Sequence, residues 1–256
     1  MSGFWTFNLQ KMKKTAILVV AALFTAGVFY AERDSVSVFK VTAGENDPQA
    51  ISSVDTDEKK VALTFDISWG NERPGPILDA LEQKGVKQAT FFLSSPWAEH
   101  HPEIVERINE LGFEIGSHGH KHVNYSRLKD DEIREQILKS HRTLQSLISD
   151  TPTLIRTPNG DFDKRVLRIA DELGYQVIQW DTDSKDWLNP GVDKIVDNVV
   201  SNAHPGDIIL FHASDSSKQT HEALPRIIDE LREQGYAFVT VSELISGVES
   251  TVDELD

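Results

Sequence analysis

Val61-Ala62-Leu63-Thr64-Phe65-Asp66-Ile67-Ser68 reads as a β-strand that starts apolar on both faces and finishes beside a carboxylate. A run such as Val61-Ala62-Leu63 lacks polar alternation, so both of its faces should be covered. Ile208-Ile209-Leu210-Phe211 repeats that character late in the chain. Further strands are predicted over Ala89–Ser94, Glu114–Ser117, Leu154–Arg156, Gln176–Asp181, Asp207–Phe211 and Phe238–Val241. Helical periodicity falls between them, near Pro76–Gln83, Glu103–Leu111, Asp130–Ile148, Lys164–Leu173, Val192–Asn202 and His221–Gln234. Seven strands alternating with helices imply an α/β fold, a mostly parallel and right-handed (β/α) array.

The helix ends carry local reasons. Asp130 and Asp163 suit N-cap positions. Leu224, Ile227, Ile228 and Leu231 recur at three- and four-residue spacing and predict one buried face. Residues beyond Ile245 are acidic and are expected to fray.

Five islands follow strand-like runs: Thr64-Phe65-Asp66, His118-Gly119-His120-Lys121-His122, Arg156-Thr157-Pro158-Asn159-Gly160, Asp186-Trp187 and Leu210-Phe211-His212. Parallel strands would bring all five to one end of the sheet, where parallel α/β folds place their active sites. If the chain turns helical after Glu114–Ser117, His118 and His122 share a face and can hold one divalent cation. The plain alternative is an exposed loop whose histidines merely titrate. Asp66 can act as a general base or simply cap the next segment. Arg156 can hold Asp66 ionised. Asp186 can keep His212 protonated, ready to give a proton to a leaving amine. Trp187 and Leu210 would wall the pocket. Trp69 and Trp97, near the strand ends, are candidates for an aromatic platform or for ordinary core packing.

Composition narrows the partners. The 256 residues carry a net charge of -15 and no cysteine, with 39% hydrophobic residues. Disulfides and thiol chemistry are excluded. A nucleic-acid partner is not expected, because phosphate backbones call for stripes of Lys and Arg. Lys11, Lys13 and Lys14 precede an uncharged run from Thr15 to Ala31. That pattern reads as an N-terminal membrane-anchor helix, with a cleaved signal peptide as the alternative. Positive charge ahead of the span would leave everything after Ala31 on the extracytoplasmic side. The organisation expected is a cytoplasmic stub and anchor over residues 1–31, a linker over 32–58, a domain over 59–247 and an acidic tail over 248–256.

From about Lys59 to Ile245 the chain resembles the polysaccharide deacetylase family, also called the NodB-homology domain or carbohydrate esterase family 4. The motif order agrees throughout, over roughly three quarters of the chain. The resemblance implies a distorted (β/α) barrel of about seven mostly parallel strands. It also implies removal of acetyl groups from N-acetylated amino-sugar polymer, peptidoglycan above all, with a divalent metal. By the same resemblance Asp66 is the base, His118 and His122 are metal ligands, and Arg156, Asp186 and His212 complete the catalytic set. Asn159, Trp187 and Leu210 then line the substrate pocket, with the Asn159 backbone N–H facing the oxyanion. The segments Thr64–Gly70 and Asp186–Val192, with the anchor, resemble sporulation-associated deacetylase-like proteins of spore-forming bacteria. The family's first motif is Thr-Phe-Asp-Asp, whose second Asp is the third metal ligand; this chain has Ile67 there. Zn2+, the metal that imidazole donors favour, would be weakly held. His120, Asp161 or Asp183 could supply the missing ligand, or Asp66 could move onto the metal. Otherwise the site stays empty and the domain binds cell-wall glycan without cleaving it.

Overall fold

The structure, a computed structural model, describes residues 48–252, with side chains to 247. The anchor expected over 1–31 lies outside the described residues. Among the described residues no helix is long and apolar enough to cross a membrane. Eight strands are present: β1 Lys60–Ile67, β2 Thr90–Leu93, β3 Glu114–Ser117, β4 Leu154–Ile155, β5 Gln176–Val177, β6 Thr182–Asp183, β7 Asp207–His212 and β8 Ala237–Phe238. The helices are α1 Pro74–Gln83, α2 Ser95–His100, α3 Pro102–Glu110, α4 Asp130–Gln145, α5 Lys164–Glu172, α6 Val192–Val200, α7 Thr220–Glu233 and α8 Val241–Val252. The sheet runs β5-β4-β3-β2-β1-β7-β6, with β8 against the start of β1. Every strand pairing is parallel.

The connection between the two edge strands forces the sheet to curl. Only residues 178–181 separate β5 from β6, which lie at opposite edges. The run from Val177 to Thr182 reaches at most about 18 Å. A flat sheet of this order would hold its edges roughly 29 Å apart. Curling is therefore obligatory. The Ile178 N–H donates to the Ile155 carbonyl (2.8 Å) and the Asp181 N–H to that of Ile208 (3.1 Å), so the run steps across the gap. The chain ahead of β1 crosses there too. Ile51 bridges Ile178 in parallel and Ser53 bridges Asp207 antiparallel. Packing thus begins within the segment read as linker: Ala50 belongs to the core.

The two faces of β1 separate structure from chemistry. Val61, Leu63, Phe65 and Ile67 join the apolar core beneath α1, α3, α6 and α7. Phe65 stacks on Phe91 and Phe211, at 4.8 and 5.4 Å between ring centroids. On the inner face Ala62 joins a plug with Phe92, Ile208, Val241 and Leu244. Thr64 and Asp66 follow on that face, since side chains alternate along a strand. The barrel interior therefore turns from apolar to polar as β1 climbs.

Several expectations change. The predicted strand Gln176–Asp181 ends early, at Val177, because residues 178–181 must leave one edge for the other; β6 lies beyond it. Val241 opens α8 rather than closing a strand, and the tail expected to fray after Ile245 is helical to Val252. Asp163 caps α5, accepting from the Arg165 and Val166 N–H groups. Asp130 is instead the first residue of α4, whose cap is Lys129.

Beside the Ser53 bridge lies a buried carboxyl. Asp207 accepts from the Thr182 N–H (3.2 Å) and Oγ1 (2.6 Å). Burial pushes it up to about 6, against the opposing Thr182 hydrogen bond and the nearby His204. An acid raised in the folded state stabilises the fold at low pH and loses that contribution as pH climbs from about 4 to about 6. Asp207→Asn should remove this slope. Urea unfolding is expected to favour the variant over wild type at pH 7, relative to pH 4.5, by something on the order of 2 kcal/mol. An unchanged difference between the two pH values would show that Asp207 does not titrate there.

Candidate active site

The five islands gather at the C-terminal ends of the strands, around a cleft of about 660 Å³. Asp66 on β1 lies in register with His212 on β7. Arg156, the residue after β4, is fully buried. Its guanidinium donates to Thr64 Oγ1 (2.8 Å), Asp66 Oδ1 (2.9 Å) and the Gln179 carbonyl (2.8 Å). The group also lies 4.3 Å from the Phe92 ring centroid. Burial alone would raise the Asp66 carboxyl; the charges of Arg156 and its neighbours outweigh that and hold it below the ordinary carboxylate value. Asp66 is therefore ionised and oriented inside the barrel.

Asp186 organises the other side. Its Oδ1 lies 2.8 Å from His212 Nδ1. Its Oδ2 accepts from the His212 N–H (2.8 Å) and from Thr220 Oγ1 (2.7 Å). Burial would lower the His212 imidazole, but the Asp186 hydrogen bond and charge prevail, so it is raised. With Nδ1 engaged, Nε2 is the free ring nitrogen of a residue that lines the cleft.

His118 follows β3 and is buried. Its Nδ1 donates to the Arg156 carbonyl (2.9 Å), leaving the Nε2 lone pair available. Burial lowers this imidazole to about 4. His122 is lowered as well, mainly by burial. Both rings are thus neutral near pH 7, the form that binds metals. The segment joining them is not helical, so the condition under which a helix face would pair them is not met. Gly119 has φ 74°, and a Cβ there would run into the Tyr125 hydroxyl. The resulting turn sets the two rings 5.5 Å apart, centroid to centroid, with planes 59° to each other.

None of the suggested replacements joins the two imidazoles in a three-donor group among the described residues. His120 Nδ1 pairs with Ser95 Oγ at 2.9 Å. Asp161 accepts from the N–H and hydroxyl of Ser126. Asp183 lines the cleft and accepts from the Lys185 N–H (2.8 Å). Asp66 is held by Arg156. Ile67 is wholly buried in the outer apolar core. Among the described residues no group of three His, Asp or Glu side chains could hold a metal ion. The donors present fit a divalent cation in part: two neutral imidazoles without a carboxylate.

Asn159, Trp187 and Leu210 line the cleft together with Asp66, His118, His122 and His212. Arg156 and Asp186 stand behind it. Sequence reasoning missed Trp180, which lines the cleft with its ring 5.5 Å from the Arg156 guanidinium. It gave no role to Thr64 or Thr220, which hydrogen-bond Arg156 and Asp186. Thr64 was legible in principle, two residues before Asp66 and so on the same face.

The polysaccharide deacetylase family profile matches residues 53–178. A peptidoglycan-N-acetylglucosamine deacetylase of Bacillus cereus is 38% identical over 195 residues, covering 75% of this chain and 91% of that protein. The crystal structure of a CE4 family pseudoenzyme from Bacillus anthracis is similar at TM-score 0.73 and 34% identity, covering 78% of this chain and 69% of that one. A mutant of that pseudoenzyme with restored enzymatic activity is similar at TM-score 0.73 and 35% identity, covering 78% and 72%.

Proposed function

Because the chain belongs to the polysaccharide deacetylase family, we propose that it hydrolyses the acetamides of N-acetylated amino sugars in peptidoglycan. One observation carries this reading. An ionised Asp66 and a proton-bearing His212 stand in register on neighbouring strands beside one cleft. Asp66, kept ionised by Arg156, takes the proton of the attacking water. His212, kept protonated by Asp186, gives a proton to the departing amine nitrogen. The backbone N–H of Asn159 is assigned to the oxyanion. Acetate and free amine result. A divalent cation held by His118 and His122, zinc by donor type, would supply Lewis-acid polarisation of the acetamide carbonyl. Residues 1–31 are assigned to a membrane anchor that leaves the domain facing the cell wall, and the resemblance to sporulation-associated proteins suggests when it works.

The test is acetate release from peptidoglycan across a zinc titration. Asp66→Asn should reduce it by about 100-fold or more. Equal release by both proteins would remove Asp66 as the base.

A second reading draws on Ile67. With two imidazoles and no carboxylate, the cleft would bind glycan without cleaving it; similarity to a protein described as a CE4 family pseudoenzyme supports this reading. It requires glycan binding that chelator leaves unchanged and no acetate under any cation.

A further inference from the structure

Four large hydrophobic side chains are exposed among the described residues: Trp69, Val123, Trp187 and Leu188. Trp69 and Trp187 line the cleft. Trp69 is 54% exposed, whereas Trp97, the other candidate platform, is 4% exposed and serves as a brace. Its Nε1–H donates to the Gly70 carbonyl at 2.6 Å.

The loop carrying Trp69 is fastened at several points. The Ser68 N–H donates to Ser214 Oγ (2.9 Å). The Asp215 carboxylate accepts from the N–H groups of Asn71 (3.2 Å), Glu72 (2.9 Å) and Arg73 (3.1 Å). The Asp215 N–H donates to the Trp69 carbonyl (3.4 Å). Gly70 has φ 79°, and a Cβ there would strike the Asp215 carboxylate, so no other residue fits behind the indole. The Trp187 loop is fastened to the same stretch. Asn189, itself left-handed, donates from Nδ2 to the Ser216 carbonyl (2.9 Å) and accepts from the Lys218 N–H (2.8 Å).

Rigidity and exposure are an unusual combination. Leaving half an indole in water forgoes the gain that burying its apolar surface would bring. The hydrogen bonds that fasten this loop leave the indole itself about half in water. That arrangement suits a ligand that needs a flat apolar surface already in place, because little side-chain freedom is then lost on binding. A pyranose ring offers a complementary face, lined with C–H groups that meet the electron-rich face of an indole.

We propose that Trp69 is a stacking platform for a sugar ring adjacent to the one whose acetamide reacts, so that the cleft selects glycan chains over single amino sugars. This rests on the glycan reading of the cleft but not on its catalytic competence. The β7–α7 segment, through Ser214 and Asp215, positions the platform.

The test is binding by the full-length chain, in chelator to prevent turnover, followed by ligand-observed NMR. The probes are N-acetylglucosamine tetramer and the monosaccharide. Wild type should bind the tetramer more tightly. Trp69→Ala should weaken tetramer binding about tenfold and leave the monosaccharide unchanged, and Trp69→Phe should restore it to within roughly threefold of wild type. Matching thermal unfolding of the three proteins excludes misfolding as the cause. Tetramer affinity unchanged in Trp69→Ala overturns the platform, as does an equal loss for tetramer and monosaccharide, or a wild type that binds no tetramer. Acetate release with unchanged binding in Trp69→Ala would sink the platform alone. Loss of binding in that variant, with no acetate from wild type under any cation, would sink the hydrolase reading alone.

Discussion

Arg156→Met is expected to cost on the order of 3–5 kcal/mol of stability at pH 7, because it strands a buried carboxylate without its partner. Arg156 is fully buried, and Asp66 is nearly so. The guanidinium joins three oxygens contributed by β1 and by the run that closes the barrel. In wild type the folded state lowers the Asp66 carboxyl. A depressed acid contributes stability above its unfolded value near 4 and loses it as pH falls through the folded value. Without Arg156, burial dominates and the carboxyl should rise instead. The variant's deficit should therefore be largest at neutral pH and shrink as acid protonates Asp66. Urea unfolding at pH 7 and pH 5 measures this. Asp66→Asn combined with Arg156→Met should recover part of the loss, since removing both partners leaves no uncompensated charge. A deficit of under about 1 kcal/mol at pH 7 would mean that water already satisfies Asp66.

Ile67→Asp should have two large and opposing effects. Ile67 is wholly buried with Phe65, Leu93 and Trp97 in the outer core. An aspartate there loses apolar contacts and buries a charge, a cost of about 2–5 kcal/mol without cation. The same carboxylate would add a third donor to His118 and His122 if the end of β1 turns it towards the cleft. Zinc at a hundred times its dissociation constant would then return about 2.7 kcal/mol to the folded state. The expected result is a lowered melting temperature in chelator and a zinc-dependent rise larger than that of wild type. A zinc-dependent rise no larger than the wild type's would show that the new carboxylate stays in the core.

The sequence carried the site better than the connections that build it. Strand ends can be read from apolar runs, so Asp66, His118, Arg156 and His212 could be placed at one end of a parallel sheet. Asp186 could be paired with His212 from chemistry alone. The His118–His122 geometry could not be read, because four-residue spacing suits a helix and a turn alike. What decides is Gly119 against Tyr125, a contact invisible in one dimension. The early end of the strand predicted over Gln176–Asp181 was hidden for a similar reason: its residues favour a strand throughout, and only the curvature of the sheet stops it at Val177. The stretch Ser94-Ser95-Pro96 did carry a signal for α2, a Pro in a helical first turn. Trp69 and Trp97 were indistinguishable by type, and only burial separates the platform from the brace.

The place of β1 in the sheet has a consequence for biogenesis. Its second half pairs with β2, which follows soon after it, and Val61 to Asp66 pair with β7, about 146 residues later. A nascent chain must therefore be made past His212 before its central strand gains a second neighbour. Until then β1 offers a bare edge of the kind that invites aggregation. Such long-range closure slows folding. The native barrel is thus a late product of the whole polypeptide, and a truncation ahead of β7 should yield material for proteases rather than a smaller working domain.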